Sequence, residues 1–273
     1  MTRGASANHR LSVNAMCTFP WSFDQDLELW QETGLKFAGL LMSKLGPEPD
    51  ISMARLAAAG ITASTLITEP FDLAAPDSWD ETRARQRAAI DVMAKFGGHS
   101  IYFPPGRATG APWREDLSRL AEAAAPTVEY AKANRVRASI EPSLRTSVSF
   151  VNTLHDAIDV AELTGLSIVA DFGNMWMERD FREVVARALP YLALMQIGDM
   201  VIGSVTRPSP GGRAHIGGGE LPLRRMLSDV LESGYAGVFD LEVVPAEFMQ
   251  GSDRATMLRG IAAASALLDE MGV

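Results

Sequence analysis

A chain of 273 residues with 47% hydrophobic content can bury one large core or two small ones, and a barrel of about 250 residues is an ordinary single domain. A formal net charge of -9 disfavours a polyanionic partner such as nucleic acid, and one cysteine, Cys17, excludes an intrachain disulfide and a thiolate metal cluster. No apolar run approaches the roughly 18 to 20 residues that span a bilayer, and the first residues lack the apolar stretch of a signal peptide, so a soluble, cytoplasmic protein with no membrane partner is expected.

Residues 1–10 are expected to form a disordered tail, and residues 11–273 a single domain. Strand-like runs at 11–17, 36–42, 61–67 and 99–103 alternate with amphipathic segments at 24–33, 51–59, 78–96 and 113–134. Glycines at 34, 60 and 97–98 supply stops, and Pro126 is expected to kink or break the fourth helix. The second half repeats the pattern, with strands at 136–141, 166–171, 192–196 and 237–242 and helices at 149–163, 179–188, 223–233 and 253–268. Between the seventh strand and its helix lies a long stretch, 198–220, carrying Pro208, Pro210 and two glycine clusters, which we expect to be an irregular lid or substrate loop. Eight βα units without an insertion favour a closed (β/α)8 TIM barrel over a doubly wound sheet, which more commonly has five or six.

In such a barrel the strand ends converge on one mouth. The fifth to eighth strands end in Glu141, Asp171, Gln196 and Glu242. An acid at the end of an apolar strand is expensive to desolvate, so it is normally there to meet a charge, and a divalent metal is the simplest such charge. These are hard oxygen donors, suited to one Mn²⁺ or Mg²⁺ ion more than to zinc. Salt-bridged or helix-capping acids are the structural alternative, with Arg137 and Arg145 as local cations, but four such groups in successive strands weaken it.

The order Ile140-Glu141, Val169-Ala-Asp171-Phe-Gly-Asn174, Gln196-Ile-Gly-Asp199, Gly217-Gly-Gly-Glu220 and Gly234-Tyr-Ala-Gly237-Val-Phe-Asp-Leu-Glu242 resembles the xylose isomerase-like TIM barrels, a superfamily that holds sugar-phosphate isomerases and epimerases, ketose 3-epimerases, inosose and 3-dehydroshikimate dehydratases, and endonuclease IV. The resemblance covers residues 11–270. It implies that Glu141, Asp171, Gln196 and Glu242 ligate one divalent metal, and that Glu141 and Glu242 are the catalytic acid/base pair on a small, carbohydrate-like hydroxy-carbonyl substrate. A metal that polarises the carbonyl would stabilise an enediolate while a carboxylate takes the α-proton. The implied activity is isomerase or epimerase. A dehydratase or lyase that expels a β-leaving group is the alternative, and a non-catalytic binding barrel stands behind both. A homo-oligomer is expected by the same analogy.

Two positions depart from the epimerase pattern, since Gln196 and Asn174 stand where histidines are usual. Gln196 resembles the dehydratase branch, yet Ser143 stands where that branch carries a histidine. With four histidines in the chain a three-metal nuclease is not expected, and His9, His99 and His155 read as structural. Asn174, Arg213, His215, Trp176 and Arg107 are the expected substrate-side residues. Arg213 and His215 would be lowered onto substrate by the 198–220 stretch, while Arg107 and Lys44 would meet a carboxylate or phosphate. Phe19, Trp21, Phe103, Trp113 and Met175 would join Trp176 in an apolar wall. The Gly217–Gly219 run lacks the spacing of a dinucleotide fingerprint.

Overall fold

The computed structural model describes residues 6–205, 210–244 and 251–273. Eight parallel strands close into a barrel in the order β1 (Leu11–Asn14), β10 (Phe239–Leu241), β7 (Leu192–Ile197), β6 (Ser167–Asp171), β5 (Arg137–Ile140), β4 (Ser100–Phe103), β3 (Thr62–Ile67) and β2 (Phe37–Leu41). The helices of the outer layer are α1 (Phe23–Glu32), α2 (Pro49–Ala58), α3 (Trp79–Lys95), α4 (Trp113–Ala133), α5 (Leu154–Thr164), α7 (Phe181–Ala188), α8 (Leu223–Glu232) and α9 (Arg254–Glu270). A single turn, α6 (Phe172–Met175), follows β6 directly. No described helix is long and apolar enough to cross a membrane.

The period of two in a strand explains where the polar ends go. Ile168, Ala170, Met195, Ile197, Phe239 and Leu241 face the helices and join the large apolar core. Their alternates Val169, Leu194 and Val238 pack with Tyr102 in a second apolar cluster inside the barrel. Two residues further along those same strands stand Asp171, Gln196 and Asp240, with Glu242 one step beyond, all buried. The inward row is therefore apolar below and polar toward the C-terminal mouth.

Two expectations change in detail. The 198–220 stretch is not wholly irregular: β8 (Asp199–Val205) and β9 (Pro210–Ala214) form an antiparallel ladder with Met200 opposite Arg213 and Val201 opposite Gly212. Met200-Val-Ile has strand propensity that the neighbouring prolines and glycines mask in the sequence. Pro208 lies outside the described residues. Pro126 sits inside α4 without ending it, because Arg83 of α3 supplies the missing donors: its Nη2 and Nε bond the carbonyls of Glu122 and Ala123 at 3.0 and 2.9 Å. The carbonyl of Glu122 is the one that a proline four residues on leaves without its helical N–H.

The expected tail covers residues 1–10, of which residues 6–10 are described. Asn8 is buried, and its Nδ2 donates to Asp269 Oδ1 at 2.6 Å and to the Val273 carbonyl at 2.9 Å, tying this segment to the end of α9.

Candidate metal and active site

The mouth gathers the three carboxylates that the strand ends carry. Glu141, Asp171 and Glu242 each place one oxygen so that the three lie within 4.8 Å of one another. Burial and repulsion from neighbouring acids act together on Glu141 and Glu242. The Glu141 carboxyl is pushed up first by burial and then by Asp171, against the pull of Arg213, Arg145 and a hydrogen bond from Asn174. Glu242 is raised well above the ordinary carboxylate range, again by burial first and then by Glu141, Asp171 and Asp240.

Asp171 is the most fully paired of the three. Its Oδ1 accepts from the Gly173 amide at 2.9 Å, capping the short helix α6, and its Oδ2 takes Asn174 Nδ2 at 3.1 Å and Arg213 Nη2 at 2.6 Å. Both roles of the structural alternative, cap and salt bridge, are thus present at this residue. Asn174 also donates to Glu141 Oε1 at 3.0 Å, while its own oxygen accepts from Arg213 at 3.2 Å. Burial alone would lower the Arg213 pKa, but Asp171, then Glu242 and Glu141, hold the charge and leave it raised. The guanidinium lies against Gly173, where a Cβ would overlap Arg213 Nη1.

On the other side Tyr102, at the end of β4, donates to Glu242 Oε1 at 3.0 Å and accepts from Gln196 Nε2 at 3.2 Å. Gln196 Oε1 is buried with no partner among the described residues. An orphaned acceptor beside three carboxylates is the arrangement a hard cation would complete. Charge agrees, since one guanidinium and one dication balance three carboxylates. The residues present therefore fit a divalent metal held by Glu141, Asp171, Glu242 and the Gln196 oxygen.

The structure brings Asn174 and Arg213 to the acids, and the described contacts of the other expected substrate-side residues are with other groups. His215 Nε2 lies 3.1 Å from Ser252 Oγ, and its ring packs on Gly260 of α9, so its described partners are on the outer layer. Arg107 is exposed and lines a groove with Asp72 and Ser147. Trp176 is half-buried against the core. Of the expected wall, Phe103 is core packed edge-on to Phe71, Met175 is buried, and Trp113 pairs with Phe150. Phe19 and Trp21 are partly buried on the core. The Lys44 ammonium is taken by Asp26 and by the carbonyls of Ala15 and Thr18, which leaves it no free donor for a substrate anion. Arg137 bonds the Leu192 carbonyl. His99 packs on Phe37, and His155 Nδ1 lies 3.1 Å from Arg187.

Sequence reasoning missed Tyr102, Asp240 and the role of Asp199. Asp240 carried a signal, an acid two residues before Glu242 on the same face of a strand, and Tyr102 carried none. Asp199 accepts four backbone N–H groups, from Met200, Gly217, Gly219 and Leu221 at 2.8 to 3.1 Å, and so welds the glycine turn to the base of the hairpin that carries Arg213. A Cβ on Gly219 would collide with that carboxylate. Asp199→Ala is expected to destabilise the protein by roughly 1.5–3 kcal/mol or more, and to open the 199–220 region to protease ahead of the barrel. Urea unfolding combined with limited proteolysis checks this, and an unchanged cleavage pattern would argue against it.

No curated protein matches the chain. Among solved structures, the IOLI protein with a bound zinc atom aligns with a TM-score of 0.80 at 18% identity, over 96% of this chain and 97% of the other. D-psicose 3-epimerase with D-tagatose from Clostridium cellulolyticum H10 aligns at 0.73 and 18%, over 96% and 98%. A probable 3-DHS dehydratase, AsbF from Bacillus anthracis, aligns at 0.75 and 11%, over 93% and 98%. At these identities the likeness is one of fold. The sequence itself matches the xylose isomerase-like TIM barrel pattern over residues 27–264, and with that span of match the chain belongs to the xylose isomerase-like TIM barrel family.

Proposed function

We propose that this protein is a divalent-metal-dependent isomerase or epimerase that removes and returns a proton at the carbon beside a carbonyl in a small, sugar-like substrate. The observation that carries this is geometric: Glu141, half-buried, and Glu242, buried, each bring an oxygen within 4.8 Å of the other and of Asp171 at the mouth of the barrel, near the orphaned amide oxygen of Gln196. Glu141, Asp171, Gln196 and Glu242 would hold the metal, with Mn²⁺ or Mg²⁺ matching the oxygen donors. Bound there, a dication supplies Lewis acidity, which lowers the cost of negative charge on a carbonyl oxygen.

The rest falls to the chain. Asn174 and Tyr102 each tie down one oxygen of a glutamate, and among the described residues no hydrogen bond is made to the second oxygen of either. Those second oxygens are free to take and return a proton from two directions. Both would be carboxylates at a bound metal, so either can act as base toward an α-proton and, once it has taken that proton, as the acid that returns it. Arg213, fixed by Asp171 and Asn174, offers its remaining N–H groups to a substrate oxygen. His215, beside Ser252 and packed on Gly260, would reach substrate only after movement of the segment that carries it.

A metal-dependent dehydratase is the second reading. Gln196 favours it, as an amide where epimerases usually carry a histidine, and so does the likeness in fold to a probable 3-DHS dehydratase. Incubating Mn²⁺-loaded protein with ketoses and with 3-dehydroshikimate in deuterated water separates the two. Deuterium gained at the α-carbon of a recovered sugar or its epimer supports the first reading. An unsaturated product formed with loss of water supports the second and sinks the first.

A further inference from the structure

We infer that Tyr102 is a positioning residue that sets the side-chain amide of Gln196 with its oxygen, rather than its NH₂, toward the metal; the inference rests on the metal site proposed above. An amide ligates a hard cation through oxygen alone, and rotation by half a turn would present two N–H groups to the ion. A glutamine needs something to settle it.

The chain of hydrogen bonds settles it in one direction. A ligating Glu242 is a carboxylate and can only accept, so the Tyr102 hydroxyl spends its one proton on Glu242 Oε1, at 3.0 Å. The phenol oxygen is then an acceptor, and Gln196 meets it with Nε2 at 3.2 Å. Oε1 is left buried and unpartnered, on a residue with no exposed surface. The neighbouring strand adds a second bias in the same sense. Asp240 pairs in register with Gln196, is fully buried, and its Oδ1 has no hydrogen-bond partner among the described residues. An unpartnered acceptor on that side favours the N–H end of the amide facing it. Asn14 Nδ2 holds Asp240 Oδ2 at 2.8 Å, so the acceptor is itself fixed.

Tyr102 is an inward-facing residue of β4, in the apolar cluster with Val169, Leu194 and Val238. Removing its hydroxyl leaves the ring and its packing in place. The test is a Mn²⁺ titration of the chelated protein, followed by calorimetry or by the electron spin resonance of the free ion, for wild type, Asp171→Ala, Tyr102→Phe, Gln196→Ala and the double variant. Wild type is expected to bind one ion and Asp171→Ala to lose it. Tyr102→Phe is expected to weaken binding about 10- to 100-fold, the range for partners that orient a ligand, with the melting temperature of the metal-free protein confirming the fold. In the Gln196→Ala background the Tyr102→Phe change is expected to have no further effect, because the residue it acts through is gone.

Unchanged affinity in Tyr102→Phe, with wild type binding and Asp171→Ala not, overturns the inference and leaves the metal site standing. A loss of equal size in both backgrounds also overturns it, since Tyr102 would then act through Glu242. Failure of wild type to bind would bring down the metal site and this inference with it, and it is visible in the first titration alone.

Discussion

Glu242→Gln is expected to lower turnover by about 10²- to 10⁴-fold, the usual contribution of a positioned acid or base. The substitution keeps the shape of the side chain and leaves an amide oxygen to accept from Tyr102, so the fold and the wall of the site should persist. What it removes is one of two proton-transferring groups. If Glu141 and Glu242 serve opposite faces of the reacting carbon, the variant should still exchange the α-proton of one stereoisomer with solvent through Glu141 while failing to convert it to the other. Glu141→Gln should show the mirror result with the other stereoisomer. Deuterium incorporation followed separately for the two isomers measures this. Equal exchange of both isomers in either variant would remove the two-base assignment. Loss of metal would slow both exchanges together, so metal content has to be measured on the same samples.

Lys44→Met is expected to cost about 3–5 kcal/mol at pH 8, the range for breaking a buried ion pair by removing one partner. Lys44 and Asp26 have side chains 8% and 1% exposed, and Asp26 also accepts from Thr18 Oγ1 at 2.7 Å. Burial pushes the Asp26 carboxyl up to about 6, against the pull of Lys44 and of Thr18, and burial likewise lowers Lys44 against the pull of Asp26. A carboxyl whose folded pKa lies above its unfolded value binds protons more tightly in the folded state. Its contribution to stability is therefore complete below the unfolded value near 4 and is lost as pH rises through about 6. Without Lys44 the folded value moves higher still, and the variant gains more from a proton than the wild type does. The deficit should be largest at pH 8 and shrink as pH falls toward 5. Urea unfolding at the two pH values decides it, and an equal deficit at both would show that the lost ammonium matters through packing alone.

These two residues illustrate different degrees of legibility. Glu242 is readable because period-two alternation carries Val238, Asp240 and Glu242 up the inner face of one strand, and a costly carboxylate at its end announces itself. The barrel was readable for a related reason: each βα unit carries its own apolar period and its own stop, so eight units can be counted without knowing how they meet. Lys44 is not readable in that way. A lysine after a strand looks like a free cation at the mouth, and only the approach of α1 from another unit shows that Asp26 claims it. Pro126 is a similar case, since its cost is local in the sequence while Arg83, which offsets it, comes from the preceding helix.

By itself the sequence determined the eightfold alternation, the closed parallel barrel, and the carboxylates Glu141, Asp171 and Glu242 at the ends of the fifth, sixth and eighth strands, because local periodicity and the cost of desolvating an acid are properties of short stretches. Only the tertiary structure decided which cation answers those acids, that Arg213 and not His215 reaches them, that β8 and β9 pair with Asp199 at their base, and that Tyr102 bonds both Glu242 and Gln196. Each of those depends on a hydrogen bond or ion pair between groups distant in the sequence, and chain order does not encode which partner arrives.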